Sequence, residues 1–221
     1  MDLVFATGNA GKLREAAEIL GAGYRVLSPA DVGLAGFDVE ETGSSFRENS
    51  LLKAQALWRQ CGLPCFADDS GLEVDALGGA PGIYSARYAS DHNFASNIDR
   101  LLSELAALFQ GGNVSDPVRG SAAHPSQAGA WTPATFPGAA RFRCVATLIM
   151  DDGKPHFFEG ACEGRIATER HGEGGFGYDP VFVPDLYPQL TMAEISEKAK
   201  NAISHRGVAL RLMATWLQTL V

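Results

Sequence analysis

Apolar and polar positions along the chain fall into two short periodicities. Leu3-Val4-Phe5-Ala6 is an apolar run too brief for a helix, and it ends at the polar Thr7-Gly8-Asn9, which predicts a strand entering a turn. Leu13, Ala16, Ala17 and Leu20 then recur at helical spacing until Gly21 and Gly23 close the helix. Residues 24–27 read as a second strand, followed by a loop that carries Glu40, Glu41, Thr42 and Gly43. Ser45-Phe46-Arg47-Glu48 has the Ser-x-x-Glu form of a capping box and opens a helix reaching about Trp58. Phe66-Ala67 reads as a strand that stops at a turn formed by Asp68-Asp69-Ser70-Gly71.

Ile98, Leu101, Leu102, Leu105, Leu108 and Phe109 make a second amphipathic helix. Residues 110–140 lose both periodicities and are rich in Gly, Ala, Ser and Pro. Structureless connections beyond roughly 12–15 residues are uncommon in compact domains. This one reads as a surface excursion, with a lid as the functional alternative, and its removal between 112 and 138 is expected to leave catalysis near wild type. Residues 143–150 then form a buried strand, Asp151-Asp152-Gly153 a hairpin turn and residues 156–160 the returning strand. Val208, Ala209, Leu212, Met213, Trp216 and Leu217 line one face of a last helix. Mixed strands and helices give an α/β chain without internal repeats.

Composition narrows the function classes. A chain of 221 residues suits one domain, or one two-lobed domain, and 46% hydrophobic with 20% charged residues is ordinary for a globular protein. The net charge of -8 argues against nucleic-acid binding, so any polyanion must be held by individually placed cations. Cys61, Cys65, Cys144 and Cys162 lack zinc-site spacing and read as reduced packing residues. No leader and no apolar stretch of roughly 20 residues is evident, so the expectation is a cytoplasmic protein with no membrane partner.

Four segments could carry chemistry. Thr7-Gly8-Asn9-Ala10-Gly11-Lys12 sits between a strand and a helix, where free N–H groups and the helix dipole suit phosphate. Lys12 opposes that dipole, a local conflict that points to function. The acids Glu40, Glu41, Asp68 and Asp69 supply hard oxygen donors, which beside phosphate favour magnesium. Phe176 and Tyr178, among the glycines of residues 172–177 and followed by Asp179, form a platform for a flat base or, equally, loop anchors. Lys200, Ser204, His205 and Arg206 at a helix junction could read a base edge or bind phosphate, whereas a lone His205 more commonly caps or packs.

Taken together, these segments resemble the inosine triphosphate pyrophosphatase family, and most closely its bacterial branch. The resemblance rests on Thr7-Gly8-Asn9-x-x-Lys12-x-x-Glu15, Glu40-Glu41-Thr42-Gly43, Asp68-Asp69-Ser70-Gly71-Leu72, residues 77–87 (Leu-Gly-Gly-Ala-Pro-Gly-Ile-Tyr-Ser-Ala-Arg), Gly175-Phe176-Gly177-Tyr178-Asp179-Pro180 and Ser204-His205-Arg206-Gly207. Six segments in the family's order cover nearly the whole chain. The connection at 110–140 is longer than the family's usual one and touches none of them.

The resemblance implies an elongated mixed sheet flanked by helices, two lobes with the active site in the cleft between them, and a homodimer. It implies Mg²⁺-dependent cleavage of inosine, deoxyinosine and xanthosine triphosphates to monophosphate and pyrophosphate. Asp69 would be the water-activating carboxylate and a metal ligand, with Glu41 as the other metal-site carboxylate. Thr7, Gly8, Asn9, Lys12 and Lys53 would hold the triphosphate, with Ser70 among the substrate-binding residues. Phe176 would stack on the base, surrounded by Gly177, Tyr178, Asp179, Lys200, Ser204, His205 and Arg206, with Arg87 a further candidate. His205 and Arg206 are expected to donate to the 6-oxo group of the base, which rejects adenine by leaving those donors unpaired. The alternatives are a pyrophosphatase for other modified nucleotides and a non-catalytic purine-nucleotide sensor.

Overall fold

The computed structural model describes residues 1–110 and 133–220. Six strands, β1 (Asp2–Phe5), β2 (Arg25–Leu27), β3 (Cys65–Val74), β4 (Ala140–Ile149), β5 (Pro155–Ile166) and β6 (Phe182–Pro184), form one sheet in the order β2-β1-β3-β4-β5-β6. β1 runs parallel to β2 and β3, with Val4 opposite Cys65 and Phe5 opposite Phe66, while β5 and β6 are antiparallel. The sheet is therefore mixed. Helices α1 (Ala10–Leu20), α2 (Phe46–Cys61), α3 (Phe94–Gln110), α4 (Glu197–Ile203) and α5 (His205–Gln218) complete an α/β fold. The chain forms two compact units, one of Met1–Ser70, Phe142–Ala161 and Asn201–Val221, the other of Gly71–Arg141 and Cys162–Lys200.

In the first unit the period of two along each strand sorts side chains onto two faces. Leu3, Phe5, Phe66, Cys144, Ala146 and Leu148 bury one face against Ala16 and Leu20 of α1 and Ala209, Leu210, Met213 and Leu217 of α5. Val4, Ala6, Cys65, Ala67 and Ile149 bury the other against Ala54 and Leu57 of α2. Phe5 and Phe66 stack at 4.3 Å. Each such Leu or Phe contributes about 1.5–3 kcal/mol by leaving water, so the two layers fix the strand ends.

The helices begin where their caps dictate. Asn9 Oδ1 accepts from the N–H groups of Gly11 and Lys12, and Gly21 with φ 75° ends α1. Ser45 Oγ accepts from the Glu48 N–H, but Glu48 reaches back one residue further than a capping box predicts, accepting from the N–H and hydroxyl of Ser44.

Several sequence expectations shift. β3 does not stop before Asp68; it runs through Asp68, Asp69, Ser70 and Gly71 to Val74, because the carboxylates have partners on both faces of the sheet. β4 starts earlier and β5 ends later than the apolar runs suggest, since polar residues alternate along their outer stretches. On α5 Leu210 is buried and Leu212 is half-exposed, and on α3 the buried stripe is Ile98, Leu101 and Leu105 while Leu108 is exposed. Of the 110–140 excursion, residues 111–132 lie outside the described residues. Its last part is paired: Phe136 N–H donates to Ile166 O and Thr168 N–H to Ala134 O, and Ala140 opens β4. Among the described residues no helix is long and apolar enough to cross a membrane.

Within the second unit, buried Asn97 of α3 organises the segment at 85–90. Its Oδ1 accepts from the N–H groups of Ala89 and Ser90, and its Nδ2 donates to Ala86 O.

Candidate active site

Asp68 and Asp69 are adjacent in β3, so their side chains leave opposite faces of the sheet. Asp68 enters the layer of α1 and α5. There Lys12 Nζ donates to Oδ1 at 3.0 Å, Arg206 Nε to Oδ2 at 2.9 Å and Ser70 Oγ to Oδ2 at 3.1 Å. Arg206, in the first turn of α5, also donates from Nη1 to Glu15 Oε2 at 2.6 Å. Glu15 accepts in addition from Ser204 Oγ at 3.4 Å, and Ser204 itself caps α5 by accepting from the Gly207 N–H. Burial alone would raise the Asp68 carboxyl, yet Lys12, Arg206 and Lys53 outweigh it and hold the group well below the ordinary carboxylate range. Burial likewise works against the charge of Arg206, and Asp68 and Glu15 outweigh it to push its pKa up. Lys12 thus gains for Asp68 what it loses to the α1 dipole.

Asp69 enters the layer of α2. Asn49 Nδ2 donates to its Oδ2 at 3.2 Å and Lys53 Nζ to its Oδ1 at 3.2 Å, while Lys53 also donates to Glu41 Oε1 at 2.6 Å. Burial is the largest influence on Asp69 and raises its pKa, Lys53 lowers it and Glu41 raises it; the net direction is up. The neighbouring acids therefore shift in opposite directions, Asp68 down beside its cations and Asp69 up through burial and Glu41. Glu40, by contrast, is exposed.

The turn at 7–12 closes on itself. Thr7 Oγ1 accepts from the Asn9 N–H at 3.2 Å, and Asn9 occupies two of the N–H groups at the start of α1. Apart from its chain neighbours, no atom of the described residues lies within 4 Å of where a Gly8 side chain would begin, which leaves room for a ligand to approach the backbone. His205 is buried with its ring stacked on Phe142 at 4.9 Å.

The second unit brings the aromatic loop and Lys200 together. Asp179 Oδ2 accepts from the Phe176 N–H at 2.7 Å and from Lys200 Nζ at 2.5 Å, and the same ammonium lies 4.4 Å from the Phe176 ring centroid. Gly175, with φ 72°, makes this possible, because a Cβ there would stand 2.1 Å from Asp179 Oδ2. The Phe176 ring is 43% exposed, whereas Tyr178 is buried and donates to Ser85 O at 2.9 Å, with Gly177 turning the chain between them at φ 64°. Arg87 lies over the Tyr84 ring at 5.3 Å.

Among the described residues no three His, Cys, Asp or Glu side chains group to hold a metal. Two carboxylates, Glu41 and Asp69, do converge on one ammonium, and that donor set fits a hard divalent cation whose other ligands are phosphate oxygens and water. Asn49 lies in no quoted motif and escapes a sequence reading, while Glu15 and Ser85 stand in quoted segments that gave them no role. For Asn49 the available signal is its position four residues before Lys53, on the same helical face.

A mixed α/β sheet whose central strand carries separately tuned carboxylates, each beside a lysine, defines an enzyme that handles a polyanion. The family model described as the Ham1 family matches residues 3–117 and 132–216. The chain belongs to the Ham1 family. It is 46% identical to a dITP/XTP pyrophosphatase of Thioalkalivibrio sulfidiphilus over 222 residues, 99% of each chain, and 42% identical to one of Porphyromonas gingivalis, covering 97% of this chain and 96% of that one. Its structure is similar to a HAM1 protein from Coxiella burnetii, with a TM-score of 0.79 and 36% identity over 99% of both chains.

Proposed function

We propose that this chain hydrolyses non-standard purine nucleoside triphosphates, those of inosine, deoxyinosine and xanthosine, to the monophosphate and pyrophosphate, with Mg²⁺. The observation that carries the proposal is the buried carboxylate of Asp69, which shares the Lys53 ammonium with Glu41. The substrate class comes from relatives named dITP/XTP pyrophosphatases.

In this reading Asp69 accepts the proton of the attacking water, whose oxygen joins the α-phosphorus as the bond to the β-phosphate oxygen breaks and pyrophosphate leaves. Lys12 and Lys53 face the negative charge that accumulates on the leaving group. Glu41 and Asp69 would hold Mg²⁺, which when bound neutralises and orients phosphate oxygens. The backbone at Gly8 admits the triphosphate, with Thr7 and Asn9 beside it, and Ser70 steadies Asp68. Phe176 offers a face to a base, with Lys200 and Asp179 setting the ring and Gly177, Tyr178 and Ser204 fixing the loops around it. His205 and Arg206 are assigned to the 6-oxo group. Arg206 also holds Asp68, so discrimination is best tested on His205 alone. From the resemblance we carry over a homodimer, tested by sedimentation, and a cytoplasmic setting.

The decisive assay separates products from inosine, xanthosine, adenosine and guanosine triphosphates with Mg²⁺. Monophosphate and pyrophosphate from the first two are expected, with kcat falling about 10²–10⁴-fold in Asp69→Asn. Orthophosphate as product, or no turnover of any of the four, refutes the assignment. His205→Ala is expected to weaken the preference for inosine over adenosine triphosphate, and an unchanged ratio removes it from recognition.

A further inference from the structure

We propose that Asn49 is a positioning residue for the Asp69 carboxylate, fixing its orientation with a neutral donor and tying it to the loop that carries Glu41. The inference rests on the role given to Asp69 above.

Asn49 lies in the first turns of α2 and is fully buried. Its Oδ1 accepts from the Gly43 N–H at 2.8 Å, and its Nδ2 donates to Asp69 Oδ2 at 3.2 Å. The amide has one sensible orientation. A backbone N–H only donates and a carboxylate only accepts, so turning the amide round would set donor against donor and acceptor against acceptor. One helical turn later, Lys53 takes the other oxygen of Asp69 and one oxygen of Glu41. The strand residue and the loop at 41–43 are therefore each held twice, by the same two side chains of α2.

The two donors differ in kind. Lys53 is a cation on a flexible stem, which an arriving triphosphate competes for. Asn49 is short, buried and uncharged, so it keeps its bonds when phosphate arrives and does not cancel the charge on Asp69. Gly43 completes the clamp. A Cβ at that position would lie 2.6 Å from Asn49 Oδ1 and 2.7 Å from Glu48 Cβ, so the loop reaches Asn49 only because the side chain is missing.

The test compares Asn49→Asp with Asn49→Ala. Aspartate keeps an acceptor for Gly43 and loses the donor to Asp69; alanine loses both. With inosine triphosphate and Mg²⁺, kcat per folded molecule is expected to fall about 100-fold in both variants while KM changes little, because reacting groups misplaced by an ångström cost that much. A kcat near wild type in both, with only the melting temperature lowered, would mean a merely structural role and overturn the proposal. The side-chain amide protons of Asn49 give a readout independent of turnover. They are expected to exchange slowly in the wild type and faster in Asp69→Ala; free exchange in the wild type also overturns the proposal. Slow exchange in an enzyme that turns over none of the nucleotides would keep the contact and discard the reaction proposed above.

Discussion

Two aspartates joined by one peptide bond experience opposite environments here, and strand geometry is the reason. Asp68 faces Lys12 and Arg206, which hold it charged, and Asp69 faces burial and Glu41, against which Lys53 only partly compensates. Replacing Asp68 with Asn leaves Lys12 and Arg206 facing a neutral group, and breaking a buried pair in this way costs about 3–5 kcal/mol. The pH dependence has a definite sign. The folded Asp68 pKa lies below its ordinary value of 3.8, so its stabilisation is complete above that value and is lost as the pH falls below it. Melting temperature recorded from pH 7 down to pH 2 should therefore fall more steeply for the wild type than for Asp68→Asn. Parallel curves would show that Asp68 is not the group responsible. The amino-acid pattern makes the acids, Lys12 and Lys53 conspicuous as a chemical set. It does not distinguish Asp68 from Asp69, because ending the strand before Asp68 hides the alternation that separates them. Asn49 is silent for a different reason: a neutral amide inside a helix carries no chemical signature until its two partners are known.

At the level of elements, the close approach of α5 to β5 depends on a glycine that no motif marks. A Cβ on Gly160 would stand 2.1 Å from His205 O and 2.7 Å from Ala209 N, both backbone atoms that cannot rotate away. Gly160→Ala should push the first turn of α5 off the sheet and cost about 1–3 kcal/mol in urea unfolding, as overpacking does. Activity should fall with it, since that turn carries His205 and Arg206. A variant as stable and active as wild type would mean that the helix relaxes freely. Helix α1 was legible from periodicity and its closing glycine, and α2 begins at the residue its cap indicates. The strands were less legible at their ends. Outer stretches of β4 and β5 alternate polar with apolar residues, and there sheet pairing rather than hydrophobic run length sets the boundary. On α5 the apolar spacing places Leu212 inward, whereas Arg211 and Leu212 are both exposed and Leu210 takes the buried position.

For the whole molecule, the family model passes over residues 118–131 and resumes at residue 132. Excising 118–131 should leave kcat near wild type and change stability by less than about 1 kcal/mol, since closing a loop of different length costs only about 0.6 kcal/mol per doubling. The earlier boundary of 138 is too generous, because Ala134 and Phe136 are bonded to Thr168 and Ile166. Circular dichroism with a turnover assay decides it, and a large loss of activity in a folded variant would make the segment part of the machinery.

The division of the chain into interleaved segments has a consequence for its synthesis. The unit holding Asp68 and Asp69 opens with residues 1–70 but is completed only by residues 201–221. A ribosome adding roughly 5–20 residues per second therefore needs on the order of ten seconds between the two. Throughout that interval the nascent chain carries Asp68 and Glu15 without Arg206, and the apolar face of β1 and β3 without α5. That face of the sheet cannot close until residues 201–221 have been made.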